Sequence, residues 1–109
     1  MKGVYLKFYT QENRCHGRRL VYEWLIDIAR ELHLPGCSVF SAMAGYGHHS
    51  KMHRVHFFEL QGDLPVEVVF ALSEAQAQAL LAKLRQEKLE VFWVRIPAEF
   101  GILPQDEFI

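Results

Sequence analysis

The segment DLPVEVVFALSEAQAQALLAKL, residues 63–84, decides the fold, because its hydrophobic period changes once along its length. Leu64-Pro65 opens a β-branched, apolar run through Leu72 that reads as a strand. Ser73-Glu74-Ala75-Gln76 then fits a capping box, in which the Ser73 hydroxyl and the Gln76 side chain each satisfy a backbone N–H at a helix start. The helix that follows carries Ala77, Leu80, Leu81 and Leu84 as its buried stripe. After Gln86-Glu87-Lys88 comes a last strand, Leu89 to Ile96, which Pro97 stops.

Toward the N-terminus, Gln61-Gly62-Asp63 reads as a turn joining this strand to an earlier β-rich run, Val55 to Leu60, as a hairpin. Ser38 to Ala44 is also β-compatible. Gly45-Tyr46-Gly47 breaks it, and a polar, His-rich segment continues to about Arg54. Upstream, Leu20, Val21, Trp24, Leu25, Ile28, Ala29 and Leu32 form the apolar stripe of an amphipathic helix that Pro35-Gly36 ends. Thr10 to Gly17 is polar, and Val4 to Tyr9 alternates as a first strand. The order strand, helix, two strand regions, helix, strand predicts an α+β chain of the ferredoxin-like βαββαβ type, an antiparallel sheet with two helices on one face. No linker or repeat divides the chain, so residues 1–109 are expected to form a single domain, with its core at 3–96 and a tail at 97–109.

Two helices cover one face of such a sheet, and in a monomer the other face should be polar. It is not. In EVFWVRI (90–96), Val91 and Trp93 point one way while Phe92, Val94 and Ile96 point the other, and in VHFFEL (55–60) Val55 and Phe57 oppose Phe58 and Leu60. The expectation is a homo-oligomer whose copies bury the second face; the alternative is a C-terminal tail folded over it.

The 109 residues are 50% hydrophobic, 13% aromatic and 23% charged, which excludes a disordered chain. A formal net charge of −1 gives no global field for nucleic acid or an anionic membrane. Charges interrupt MKGVYLKFYT, so no signal peptide or membrane insertion is expected, and the cytoplasm is the default location. Cys15 and Cys37 flank a helix read as about 17 residues and ~25 Å long, beyond disulfide reach, and neither belongs to a CxxC pair.

Two clusters carry the candidate chemistry. His48, His49, Ser50, Lys51, His53, Arg54 and His56, beside Tyr46 and Gly47, read as an anion or phosphate site, as a metal site using His48, His49, His53 and His56, or as a solvated polar loop. Glu12, Asn13, Arg14 and His16, with Arg18 and Arg19, precede the first helix and read as an anion site at its N-terminus, or as plain capping by Asn13 or His16. Cys15 has no legible His and acid partners to make it a nucleophile. Tyr5, Tyr9, Tyr22, Trp24 and Trp93 read as packing residues, and the RNA-binding consensus of such sheets is missing. No complete catalytic constellation is present, so an enzyme is not expected, and no cofactor is called for.

ENRCHG (12–17), AGYGHHSKMH (44–53) and DLPVEVVF (63–70) resemble the bacterial and archaeal domain-of-unknown-function family 190 over approximately residues 3 to 96. That family is similar to PII signalling proteins and to CutA, and the resemblance implies a trimer with ligand clefts between subunits. Gly45-Tyr46-Gly47 matches the start of the PII T-loop and Leu64-Pro65 the step where the next strand begins, so residues 48–63 stand in for that loop. The Gly-rich phosphate loop of PII proteins is replaced here by Gln86-Glu87-Lys88. The expected function is a non-enzymatic regulator, a homotrimer binding a small anionic metabolite or adenine nucleotide through Arg14, His16, Tyr46, Gly47, His49, Ser50, Lys51, His53 and Arg54, with a protein target read by loop 47–63. A CutA-like metal-tolerance protein and a structural adaptor for a membrane transporter are the alternatives.

Overall fold

The computed structural model describes residues 1–46, 52–54 and 64–104, with the side chains of Tyr46 and of 52–54 excepted. The chain runs β1 (Lys2–Gln11), β2 (Cys15–His16), β3 (Arg19–Leu20), α1 (Val21–Glu31), β4 (Ser38–Ser41), β5 (Ala44–Tyr46), β6 (Met52–Arg54), β7 (Pro65–Leu72), α2 (Glu74–Gln86) and β8 (Phe92–Glu99). Four strands form one sheet in the order β4-β7-β1-β8, every neighbouring pair antiparallel. With the helices between strands, this is the ferredoxin-like order that the sequence predicts. Helices among the described residues are too short or too polar to cross a membrane.

Alternation along the two central strands divides the sheet into two sides. Val4, Leu6 and Phe8 of β1 pair with Leu72, Phe70 and Val68 of β7, and all six are buried. Against them pack Val21, Leu25, Ile28 and Ala29 of α1 and Ala77, Leu80, Leu81 and Leu84 of α2, the stripes that the sequence marks. Phe8 and Phe70 meet edge to face at 6.0 Å, a favoured aromatic geometry. The capping box of α2 is in place: the Ser73 N–H donates to Gln76 Oε1 at 2.9 Å, and the Gln76 N–H donates to Ser73 Oγ at 3.2 Å.

Several boundaries differ from the sequence reading. α1 has 11 residues rather than about 17, because the residues ahead of it fold into the β2–β3 hairpin. It ends before Pro35-Gly36: the Leu34 N–H turns back to the Ala29 carbonyl at 2.9 Å, with His33 in the left-handed region at φ 57°. Gly45-Tyr46 does not break the β structure, because Ala44–Tyr46 pairs with Met52–Arg54 as a two-stranded ribbon. Pro97 does not stop the last strand. β8 runs to Glu99, and Pro97 is tolerated because β8 is an edge strand. The expected strand Val55–Leu60 and its turn at 61–63 lie outside the described residues.

Two positions at opposite ends of β1 test this packing. A Cβ on Gly3 would sit 2.1 Å from the Leu72 carbonyl oxygen and 2.9 Å from the Phe100 ring. The first neighbour is backbone and cannot swing away, so Gly3→Ala is expected to lower unfolding stability by about 1–3 kcal/mol in urea titrations. Thr10 is 8% exposed, and its hydroxyl has no hydrogen-bond partner among the described residues. Thr10→Val removes a buried polar group at nearly the same shape, and its urea midpoint is expected to rise by the equivalent of about 1 kcal/mol.

Candidate functional site

The side of the sheet away from the helices holds the groove. Register places Tyr5, Lys7 and Tyr9 of β1 on this side, beside Ile96, Val94 and Phe92 of β8 and beside Ala71, Val69 and Glu67 of β7. β4 adds Phe40, which pairs with Glu67. Phe92 is 60% exposed, Phe40 53% and Ile96 46%, so the apolar second face expected from the sequence stands uncovered among the described residues. Tyr9 and Phe92 meet across it with ring centroids 5.5 Å apart and planes tilted by 52°.

Where α1 hands over to β4, the connection Pro35-Gly36-Cys37 borders an open groove of about 490 Å³ beside this face. Its walls are Tyr5, Phe40 and Val69, with Ser38, Ala71 and Cys37 completing them. Two aromatic rings, a hydroxyl and a thiol beside aliphatic groups suit a planar ligand with polar edges. Burial raises the Cys37 thiol above its ordinary value, partly offset by Arg30, so the thiol stays protonated at neutral pH. Lys7 Nζ lies 5.5 Å from the Tyr5 ring, within cation–π reach of that wall. Sequence reasoning did not assemble this groove. Its walls come from three strands and a connection, and their meeting depends on register.

The cluster ahead of the first helix folds into the β2–β3 hairpin. Gly17, at φ 64°, turns the chain so that Cys15 pairs with Leu20 and His16 with Arg19. The Arg14 guanidinium donates to the Glu90 carbonyl, and His16 Nε2 lies 3.5 Å from Glu87 Oε1 with its ring 4.7 Å from Trp24. Arg19 pairs with Asp27 of α1. Arg14 and His16 therefore clamp the hairpin onto the α2–β8 connection. The capping expected of Asn13 or His16 does not occur: Leu20 is the N-cap, no side chain caps the helix, and the Val21 N–H donates to the Arg14 carbonyl at 2.8 Å. The Cys15 thiol is exposed and points to the Asn13 carbonyl at 3.8 Å.

Of the His-rich cluster, Tyr46, His53 and Arg54 lie on the β5–β6 ribbon, where 46 pairs with 52, 45 with 53 and 44 with 54. The Ala42 N–H donates to the Pro65 carbonyl at 2.8 Å and the Glu12 N–H to the Leu64 carbonyl at 2.6 Å, which anchors the ribbon's base at the start of β7. Gly47, His48, His49, Ser50, Lys51 and His56 lie outside the described residues. Among the described residues no three His, Cys, Asp or Glu side chains converge as a metal set.

Comparison with known proteins agrees with this architecture. A nitrogen regulatory PII-like protein from Thiomonas intermedia K12, solved with ADP, AMP and bicarbonate, superposes with a TM-score of 0.62 over 90% of this chain and 93% of its own, at 14% identity. The same protein solved with ADP, AMP and acetate gives 0.63 over 97% and 94%, at 15% identity. At such identities the likeness speaks to the fold. A UPF0166 protein of Aquifex aeolicus (strain VF5) is 29% identical over 85 residues, 78% of this chain and 81% of that protein. The family model DUF190 (Uncharacterized ACR, COG1993) matches residues 3–94, so the chain belongs to the DUF190 family, with a fold shared by PII-like proteins.

Proposed function

We propose that this protein is a non-enzymatic, PII-like regulator that binds an adenine nucleotide or another small anionic metabolite in clefts between the subunits of a homotrimer. The observation that carries the reading is the position of the groove at the margin of the uncovered apolar face. A second copy seated on that face would supply the missing wall, and a ligand held between copies would sense assembly. Solved neighbours of the same fold hold ADP with AMP or bicarbonate, which favours a nucleotide over a purely apolar ligand.

Tyr5 and Phe40 are assigned to the planar part of the ligand. Its anionic end is assigned to the segment that carries Tyr46, Gly47, His49, Ser50, Lys51, His53 and Arg54, whose base is fixed beside β7. Arg14 and His16 then act indirectly, by holding the β2–β3 hairpin against the α2–β8 connection. Loop 47–63 is the part a protein target would read, ordered or released by ligand contact.

Calorimetry with ADP, AMP and bicarbonate is expected to give saturable binding to an oligomer, and Phe40→Ala is expected to weaken the nucleotide by about tenfold, roughly 1.4 kcal/mol. Absence of binding across these ligands overturns the reading. The groove itself has a chemical reporter. Saturating ADP is expected to slow iodoacetamide labelling of Cys37 severalfold while Cys15, exposed on the hairpin, labels at an unchanged rate. Equal labelling of Cys37 with and without ADP would move the ligand elsewhere.

A further inference from the structure

Among the described residues, the uncovered sheet face is apolar with one charged interruption. Along its strands the charged side chains are Lys7 and Glu67, and they meet: Lys7 Nζ lies 3.2 Å from Glu67 Oε1, with the two side chains 27% and 31% exposed. Around them stand Tyr5, Val69, Val94 and the tilted Tyr9–Phe92 pair. The described part of the face therefore has no net charge. A nucleic acid or a strongly acidic or basic protein gains nothing from it, whereas a second copy of the same neutral, apolar surface matches it. At 3.2 Å each charge has its counter-charge already in place before association.

From this we infer that the Lys7–Glu67 pair is carried intact into the interface between copies of this chain, each charge neutralised by the other as the face loses water. The inference rests on the oligomer proposed above and adds how its charged residues enter the interface. A charge buried there without its partner costs far more than a matched pair. Losing either member is then worse than losing both: Lys7→Met strands the Glu67 carboxylate in the interface, Glu67→Met strands the Lys7 ammonium, and the double substitution strands neither. Lys7 also touches the groove wall through Tyr5, so the pair adjoins the proposed cleft.

The test is sedimentation velocity on the full chain, wild type against Lys7→Met, Glu67→Met, the double Lys7→Met/Glu67→Met and the charge swap Lys7→Glu/Glu67→Lys, with circular dichroism to establish that each is folded. Each single variant is expected to weaken association at least tenfold, and both double variants to restore it. Single variants that are folded and assemble like the wild type overturn this inference and leave the proposed oligomer standing. Should the single variants prove unfolded, double variants that fold but stay dissociated also overturn it. A wild-type chain that remains one subunit, its face taken by its own tail or by a partner of other chemistry, overturns both.

Discussion

Two helices cannot wrap a four-stranded sheet. α1 and α2 together shield one side, where Val4, Leu6, Phe8, Val68, Phe70 and Leu72 are buried. Nothing comparable protects the other side among the described residues, and the aromatic and aliphatic groups of β1, β4 and β8 there remain in contact with water. Exposed apolar area of this kind carries a standing free-energy cost that burial relieves, on the order of 25 cal/mol per Å². The position of the groove, the interest of the Lys7–Glu67 pair and the proposed assembly all derive from that one-sided cover.

Electrostatics on the helical side has a different character. Arg14, His16, Arg19, Glu87 and Asp27 satisfy one another or nearby carbonyls, and Arg95 pairs with Glu74 at the start of α2. These exposed pairs add little stability individually. Their effect is positional, since they pin a hairpin of two-residue strands that has no core of its own. On the open side, Lys7 is held above its ordinary 10.5, first by the hydrogen bond to Glu67 and then by that group's charge. Because the shift is upward, the stabilisation from that pair is complete at neutral pH and fades only as the solution becomes alkaline enough to deprotonate the lysine.

Features that depend on local spacing were legible in the sequence. The Ser73–Gln76 capping box, the stripe Ala77, Leu80, Leu81 and Leu84, and the alternation of β1 each follow from residues within a few positions of one another. The second apolar face was legible too, because Phe92, Val94 and Ile96 share a parity that the helices cannot serve. What escaped was set by contacts distant in sequence. Thr10 to Gly17 reads as a polar stretch and Leu20 as the start of the helical stripe, yet Cys15–Leu20 folds as a hairpin held to Glu87 and Glu90. The contacts of Arg14 and His16 were equally hidden, because nothing in their own neighbourhood discloses that acceptors some seventy residues later engage them. Pro97 looked like a stop because a proline halts a central strand, and only the sheet order reveals that β8 stands at the margin.

That marginal proline bears on how copies can add to one another. An edge strand normally offers a row of donors and acceptors from which a neighbouring sheet can grow without limit. Pro97 contributes no amide hydrogen near the end of β8, and β4 at the opposite margin is only four residues long. Ribbon-like extension in either direction is handicapped from the start.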